Sequence, residues 1–385
     1  MPFPYILSAL IVLITMTSAF GQEEQKVPDH IYHDLEYALS LSKSSTDLEP
    51  EKLSALINFI NTRPAETSMK LKERQGASGA FYAFSIEADL ARVLDYAYNP
   101  DIPLYVTMPS SLREQEWLTP QVNDALRNLP RKVESADDIR LLRGRDREII
   151  TPDTNTGGYY EYDQDRMVTI LPGPTGPVLI SVSSQNDLSE VGKKGCVVGD
   201  DRNWNYLYSE EKGLNTTGLG WVSSYMYYAH SVLIYVVDSS SNTIRVGSFK
   251  WLNAGWAKMN MVKSSHILNG IIRFASDFKE VLESPGLPDA MVLKNKYKGL
   301  LQWSEQDLRK MVSQYLQALN NSGASGLRSN PFKKLISSGK YLEQMDKEEL
   351  VKVLLLEYVK ENIGKKSLIS LASQPKGKPT SASLN

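Results

Sequence analysis

The chain carries one cysteine, Cys196, in 385 residues. No intramolecular disulfide can staple it, so its fold must rest on buried apolar surface, which a chain of this length can supply. Histidine is almost as scarce: only His30, His33, His230 and His266 are present, and none belongs to an HExxH or paired-cysteine pattern of the kind that binds zinc. Charge of either sign is missing from the first 22 residues. Beyond them no uninterrupted apolar run approaches about 18 residues, which excludes a later membrane-spanning helix. A basic excess is also lacking. The formal net charge of -2 argues against an electrostatic grip on nucleic acid or on anionic lipid.

The uncharged start, "MPFPYILSALIVLITMTSAFGQ", has an apolar core from Tyr5 to Ile14 and small residues at Ala19 and Gly21. This is the pattern of a signal peptide cut before Gln22. The missing Lys or Arg ahead of the core leaves a second reading, an uncleaved anchor, because close to twenty apolar residues span a bilayer of about 30 Å. An extracytoplasmic protein is expected, periplasmic or secreted, touching a membrane only through residues 1–21 if they are retained.

The fold class expected is α+β: an antiparallel β-rich central region, built as a curved meander, sandwich or partial barrel, flanked by N- and C-terminal helical segments. Residues 28–147 read as mainly helical. They open on "PDHIYHDLEYALSLSKS", with Asp29 as N-cap and Tyr32, Leu35 and Leu39 on one stripe. "YNPDIPLYVTMPSS" is too rich in proline for helix interior. The basic run "RLLRGRDRE" reads as a solvated helix end, its arginines offset by Asp137, Asp138, Asp146 and Glu148.

Residues 151–290 form the β-rich central domain with a covering helix. Short β runs such as "RMVTIL", "PVLISVSS" and "SYMYYAHSVLIYVVD" are broken by the turn-biased "DQD", "PGPTGP" and "SSSN". In "HILNGIIRFASDFKEVLES", Leu268, Ile271, Ala275, Phe278 and Leu282 form the stripe that would cover one sheet face. Residues 291–364 read as C-terminal helices with capping boxes at Ser304 and Asp346. Residues 365–385 read as a disordered tail.

Sites of chemistry are few. A Cys-His hydrolase needs a base beside the thiol, and Cys196 has His230 or His266 to choose from; packing as a small hydrophobe competes with that role. His30 and His33 lie one helical turn apart but face away from the apolar stripe. "GASGAF" and "GLNTTGLG" lack the phosphate-binding context, and no G-x-S-x-G elbow occurs. No cofactor and no metal are expected. The distinctive bias is aromatic: Trp204, Tyr206 and Tyr208 alternate, and Trp221, Tyr225 and Tyr227 follow. These six rings are the candidate ligand-binding residues, since a ring offers broad apolar area and a polar edge, although a simple aromatic core competes here too.

The reading is a non-enzymatic exported protein that binds a small molecule, glycan, lipid or protein on an aromatic β surface, and binds no nucleic acid. A thiol hydrolase or transferase built on Cys196 is the enzymatic alternative. A structural envelope component held by an uncleaved anchor is the third. The intact mass of protein recovered from its native host is expected to match a chain that begins at Gln22; a mass retaining Met1–Gly21 would identify an anchor instead.

Overall fold

The structure, a computed structural model, describes residues 26–43, 47–129, 140–154, 156–216, 220–327 and 331–371. The expected signal segment lies outside the described residues. Two helices open the chain: α1 (Asp29–Lys43), which buries Ile31, Leu35, Ala38 and Leu39, and α2 (Ser54–Asn61), which buries Leu56, Ile57, Phe59 and Ile60. Strands β1 (Thr67–Arg74) and β2 (Ala77–Ile86) follow, then α3 (Leu90–Ala97), β3 (Leu112–Trp117), α4 (Pro120–Asn128) and β4 (Arg140–Ile150). The central region adds β5 (Gly158–Tyr159), β6 (Glu161–Pro172), β7 (Pro177–Gln185), β8 (Lys193–Val197) and β9 (Tyr206–Lys212). It continues with β10 (Leu214–Thr216), β11 (Gly220–Val222), β12 (Tyr225–Asp238) and β13 (Thr243–Gly255). The rest is helical: α5 (Ser264–Leu282), α6 (Ala290–Leu301), α7 (Glu305–Asn321), α8 (Pro331–Ser337), α9 (Lys340–Gln344) and α10 (Lys347–Asn362).

The fold is α+β. Its centre is an antiparallel sheet of eight strands in the order β1-β2-β13-β12-β7-β6-β4-β3. A three-stranded sheet, β5-β8-β9, and the β10-β11 hairpin sit apart from it. Because side chains alternate along a strand, each central strand feeds two cores. One face carries Val178, Ile180 and Val182 of β7, Val232, Ile234 and Val236 of β12, and Phe249 and Trp251 of β13, all packed against α1 and α2. On this side Phe59, Phe81 and Phe249 stack with ring centroids 4.5 to 6.3 Å apart. The opposite face packs Phe84, Leu179 and Tyr235 against α3, α5 and the C-terminal helices.

Several expectations are corrected. The stretch 28–147 holds helices α1 to α4 but also supplies four strands of the large sheet, so it shares one core with the central region. In β2, "ASGAFYAFSI", both faces are largely buried, so no polar alternation marks it as a strand. "RLLRGRDRE" is not a solvated helix end but the body of β4, and Asp146 within it is fully buried. "DQD" is not a turn: it runs inside β6, where Gln164 is buried. Residues 365–371 are not a disordered tail. Glu357 accepts from the backbone of Ile369 (3.4 Å) and also of Leu368, and Leu371 is buried, so residues 365–371 are packed down; the remainder lies outside the described residues.

Other expectations meet their geometry. "PGPTGP" joins β6 to β7 with Pro172 opposite Pro177, and "SSSN" joins β12 to β13 with Asp238 opposite Thr243. Ser304 Oγ accepts from Asp307 N (3.1 Å), and Asp346 Oδ1 from Glu349 N (2.8 Å), which caps α7 and α10.

The α2 layer sits on the sheet through one close approach: a Cβ built on Gly247 would lie 2.2 Å from Ile60 Cδ1. Gly247→Ala is therefore expected to destabilise the protein by about 1–3 kcal/mol through overpacking, read as a lower midpoint in urea unfolding, with partial recovery in Gly247→Ala/Ile60→Val. An unchanged midpoint would show that α2 does not rest there.

Candidate functional site

The two faces of the central strands differ in chemistry. Where one face of β7 reads Val178, Ile180 and Val182, the other reads Leu179, Ser181 and Ser183. Register then sets Lys250, Ser231, Ser183 and Arg166 side by side on β13, β12, β7 and β6. The adjacent row is Ser248, Leu233, Ser181 and Val168. Small hydroxyls in the middle of a covered sheet leave a volume that branched apolar residues would have filled. A cavity of about 240 Å³ lies there.

Its floor includes Ser181, Ser183, Ser231 and Arg166. Its roof is the proline-fixed segment "YNPDIPLYVTM", from which Tyr98, Asn99, Pro100, Pro103 and Leu104 face inward. Gln115 and Trp117 of β3, Asn123 of α4 and Phe274 of α5 close the sides. The segment is tethered: Asp101 pairs with Arg127 of α4 (3.2 Å) and with Lys294 of α6.

The electrostatic centre is Arg166. Its Nε donates to Asp146 Oδ2 (2.9 Å), and its Nη2 reaches Glu148 Oε1. Asp146 Oδ2 also accepts from Gln115 Nε2 (2.6 Å) and Gln164 Nε2 (3.3 Å), while Glu148 Oε2 accepts from the Tyr162 hydroxyl (2.9 Å). Burial raises the Asp146 pKa, with Arg166 opposing it. Burial likewise lowers that of Lys250, with Glu148 opposing. The Tyr98 hydroxyl, held protonated by burial, bonds to Tyr235 and Ser181, so the phenols of roof and floor join. Two buried acceptors, Asp146 Oδ1 and Asn123 Oδ1, have no hydrogen-bond partner among the described residues.

The six predicted aromatic residues do not form one surface. Strand β9 starts only at Tyr206; Trp204 precedes it in left-handed backbone (φ 52) and is buried, its Nε1 donating to Asp277 Oδ1 (2.9 Å). Trp204, Tyr206 and Tyr208 line an interior cavity of about 40 Å³ together with Tyr105, Tyr315 and Tyr341. Tyr225 and Tyr227 are half-buried on β12, with rings 6.2 Å apart. The Tyr227 hydroxyl accepts from Lys258 N (3.0 Å). Trp221 lies on β11 opposite Asn215, and its side chain is outside the described residues.

Nor does the structure pair Cys196 with His230. Cys196, on β8, is buried in the core on the helix-covered face that holds Tyr235, while His230 shares the opposite face of β12 with Val232 and Ile234. His266 is exposed in the first turn of α5, where its Nδ1 accepts from Lys263 N (3.4 Å). His30 and His33 are exposed on α1.

The serine-floored cavity went unread in the sequence, yet a signal was there: "LISVSS" alternates apolar with serine, and "RGRDRE" alternates arginine with glycine or acid. No protein-family model matches this chain, and no curated protein matches it.

His230 supplies a pH test of the dry face. Its ring stacks on Tyr228 (centroids 3.9 Å), and burial lowers its pKa from 6.5 to about 4. The unfolded chain gains a proton that the folded state refuses, so stability is full above pH 6.5 and falls as pH drops from there towards 4. The loss should reach about 3 kcal/mol. Urea unfolding at pH 7.5 and 4.5 is expected to show this extra acid loss in the wild type and not in His230→Phe; equal losses would place His230 in water.

Proposed function

We propose that this is an exported, non-enzymatic binding protein for a small neutral molecule rich in hydroxyl groups, carried in the serine-floored cavity. The observation that carries the reading is the cavity itself: about 240 Å³ of space floored by hydroxyls on strands whose other face is mostly apolar. The aromatic cavity lined by Trp204, Tyr206 and Tyr208, at about 40 Å³, has room for only about three or four waters.

Charge selects neutrality. Asp146 and Glu148 balance Arg166 and Lys250, and burial pushes Asp146 and Lys250 towards their uncharged forms, so an ionic ligand would find no unanswered counter-charge. The partnerless acceptor Asn123 Oδ1, on a residue that lines the cavity, calls for a donor, which a hydroxyl supplies. Trp117, Phe274 and Tyr98 offer apolar faces to a carbon skeleton.

Protein purified from its native host is expected to retain such a molecule in native mass spectrometry. Against a panel of polyols and monosaccharides, a binder present at about a hundred times its Kd should stabilise the empty protein by about 2.7 kcal/mol. Ser231→Leu, which fills the floor, should abolish that shift while the unliganded melting temperature holds. A shift of equal size in Ser231→Leu, or a panel and a native preparation that both come up empty, would sink the reading.

A further inference from the structure

A second constellation stands apart from the serine-floored cavity. On α10, Glu349 and Lys352 are three residues apart and therefore share a face, and both line the aromatic cavity of about 40 Å³. Lys352 is 8% exposed. Its Nζ lies 4.9 Å from the centroid of Tyr105 and 5.3 Å from that of Tyr208, and it donates to the backbone oxygen of Arg113 on β3. Among the described residues no carboxylate comes within ion-pair distance of it. The Arg113 guanidinium sits 4.1 Å over the same Tyr208 ring and 3.6 Å from Glu349 Oε2. Glu349 Oε1 accepts from the Tyr341 hydroxyl (3.4 Å).

We propose that Lys352 is a reactive amine that captures a small aldehyde or ketone as an imine, with Glu349 as its proton donor. The surroundings favour the neutral amine. Burial, and next the Arg113 cation, lower the Lys352 pKa to about 7, against the attraction of Glu114, Glu349 and Asp346. Burial raises the Glu349 pKa, against Arg113 and Lys352, which favours the protonated carboxyl more than in an exposed glutamate. An amine desolvated in an apolar pocket beside another cation is the arrangement that makes lysine nucleophilic.

The step balances without a redox partner. The nitrogen lone pair adds to the carbonyl carbon, and one N–H proton passes to the oxygen, giving a carbinolamine. The Glu349 carboxyl protonates that hydroxyl, which leaves as water as the C=N bond forms, and the remaining N–H proton returns to Glu349. The net change is amine plus carbonyl to imine plus water. Since a water needs roughly 10–15 Å³ of such space, the cavity admits a compound of about three or four heavy atoms. Half-buried Tyr206, Val353 and Leu356 form its outer wall.

The test treats the full chain with acetaldehyde and a borohydride, then maps the reduced adducts by peptide mass spectrometry. Lys352 is expected to label at pH 7 at least about tenfold faster than exposed Lys310, because its neutral fraction is far larger. Its rate should rise with pH to a plateau with a midpoint near 7. Glu349→Gln should slow the Lys352 adduct about tenfold or more and leave the Lys310 adduct unchanged; Lys352→Met should lose only the Lys352 adduct. The wild-type comparison stands even if a variant fails to fold. Labelling of Lys352 no faster than Lys310, or only in urea, would overturn the proposal. Ligand binding in the serine-floored cavity is unaffected by either result.

Discussion

A guanidinium buried beneath a layer of helices has to find its counter-charges on its own face of the sheet, and Arg166 finds two. On β4 only alternate residues face it, so Asp146 and Glu148 are both required at that parity, and the β4–β6 register cannot slip by one residue without turning both carboxylates to the far face. Removing a partner from such a cluster would strand a charge out of water at about 3–5 kcal/mol. The position directly opposite Arg166 is Gly144. A Cβ there would meet Val122 at 2.9 Å and Thr119 at 3.0 Å, so α4 closes over the cluster only because that position is glycine. Gln115 of β3 then completes the carboxylate by donating to Asp146. One ion cluster thus sets the register of three strands and the seat of a helix.

The same sheet answers opposite demands on its two faces. Against α1 and α2 it is nearly dry, with branched and aromatic side chains broken by few polar groups, among them Thr169 of β6, His230 of β12, and Ser184 of β7, which meets Ser42 of α1 (3.0 Å). Against the proline-fixed segment and α5 it is hydroxylic at the centre and apolar only towards the rim. Rigid backing on the first face is what allows a cavity on the second: a sheet held by one full core can carry a row of small residues without collapsing into it. Pro100 and Pro103 serve the same end, since a roof with fixed φ angles has less freedom to sag into the space below.

Much of this was legible in the residues, and what was not has physical causes. The stripe of α5, the caps at Ser304 and Asp346, and the hairpins at "PGPTGP" and "SSSN" depend on local chemistry and could be read locally. Strand β2 could not, because a strand buried on both sides loses the polar alternation that identifies it. In β4 charge density masked a period of two: Arg143, Arg145 and Arg147 take one face while Gly144, Asp146 and Glu148 take the other. The spacing of Trp204 from Tyr206 suits a strand. Its left-handed backbone is an uncommon conformation for a tryptophan, held by the bond to Asp277 across 73 residues of sequence. The cavity floor was hidden for a different reason: a serine in a strand ordinarily signals a solvent-facing position, and only the layer above shows that Ser181 and Ser183 face an enclosed one.

The two cavities meet at β3. Leu112 borders both, Gln115 and Trp117 face the larger, and the backbone oxygen of Arg113 holds Lys352 in the smaller. Among the described residues this strand is an edge strand, paired only with β4 and with its register broken between Leu112 and Glu114. A bulge at a sheet edge re-aims side chains and loosens pairing, which is how six residues can address two sides at once. The ladder alone would leave β3 weakly held. It is fixed instead by side chains from both compartments, Asp146 through Gln115 on one side and Glu349 through Arg113 on the other. Gln115 and Glu349, which line the two cavities, therefore also dock the strand between them, so neither can be exchanged for an apolar residue without releasing the edge of the sheet.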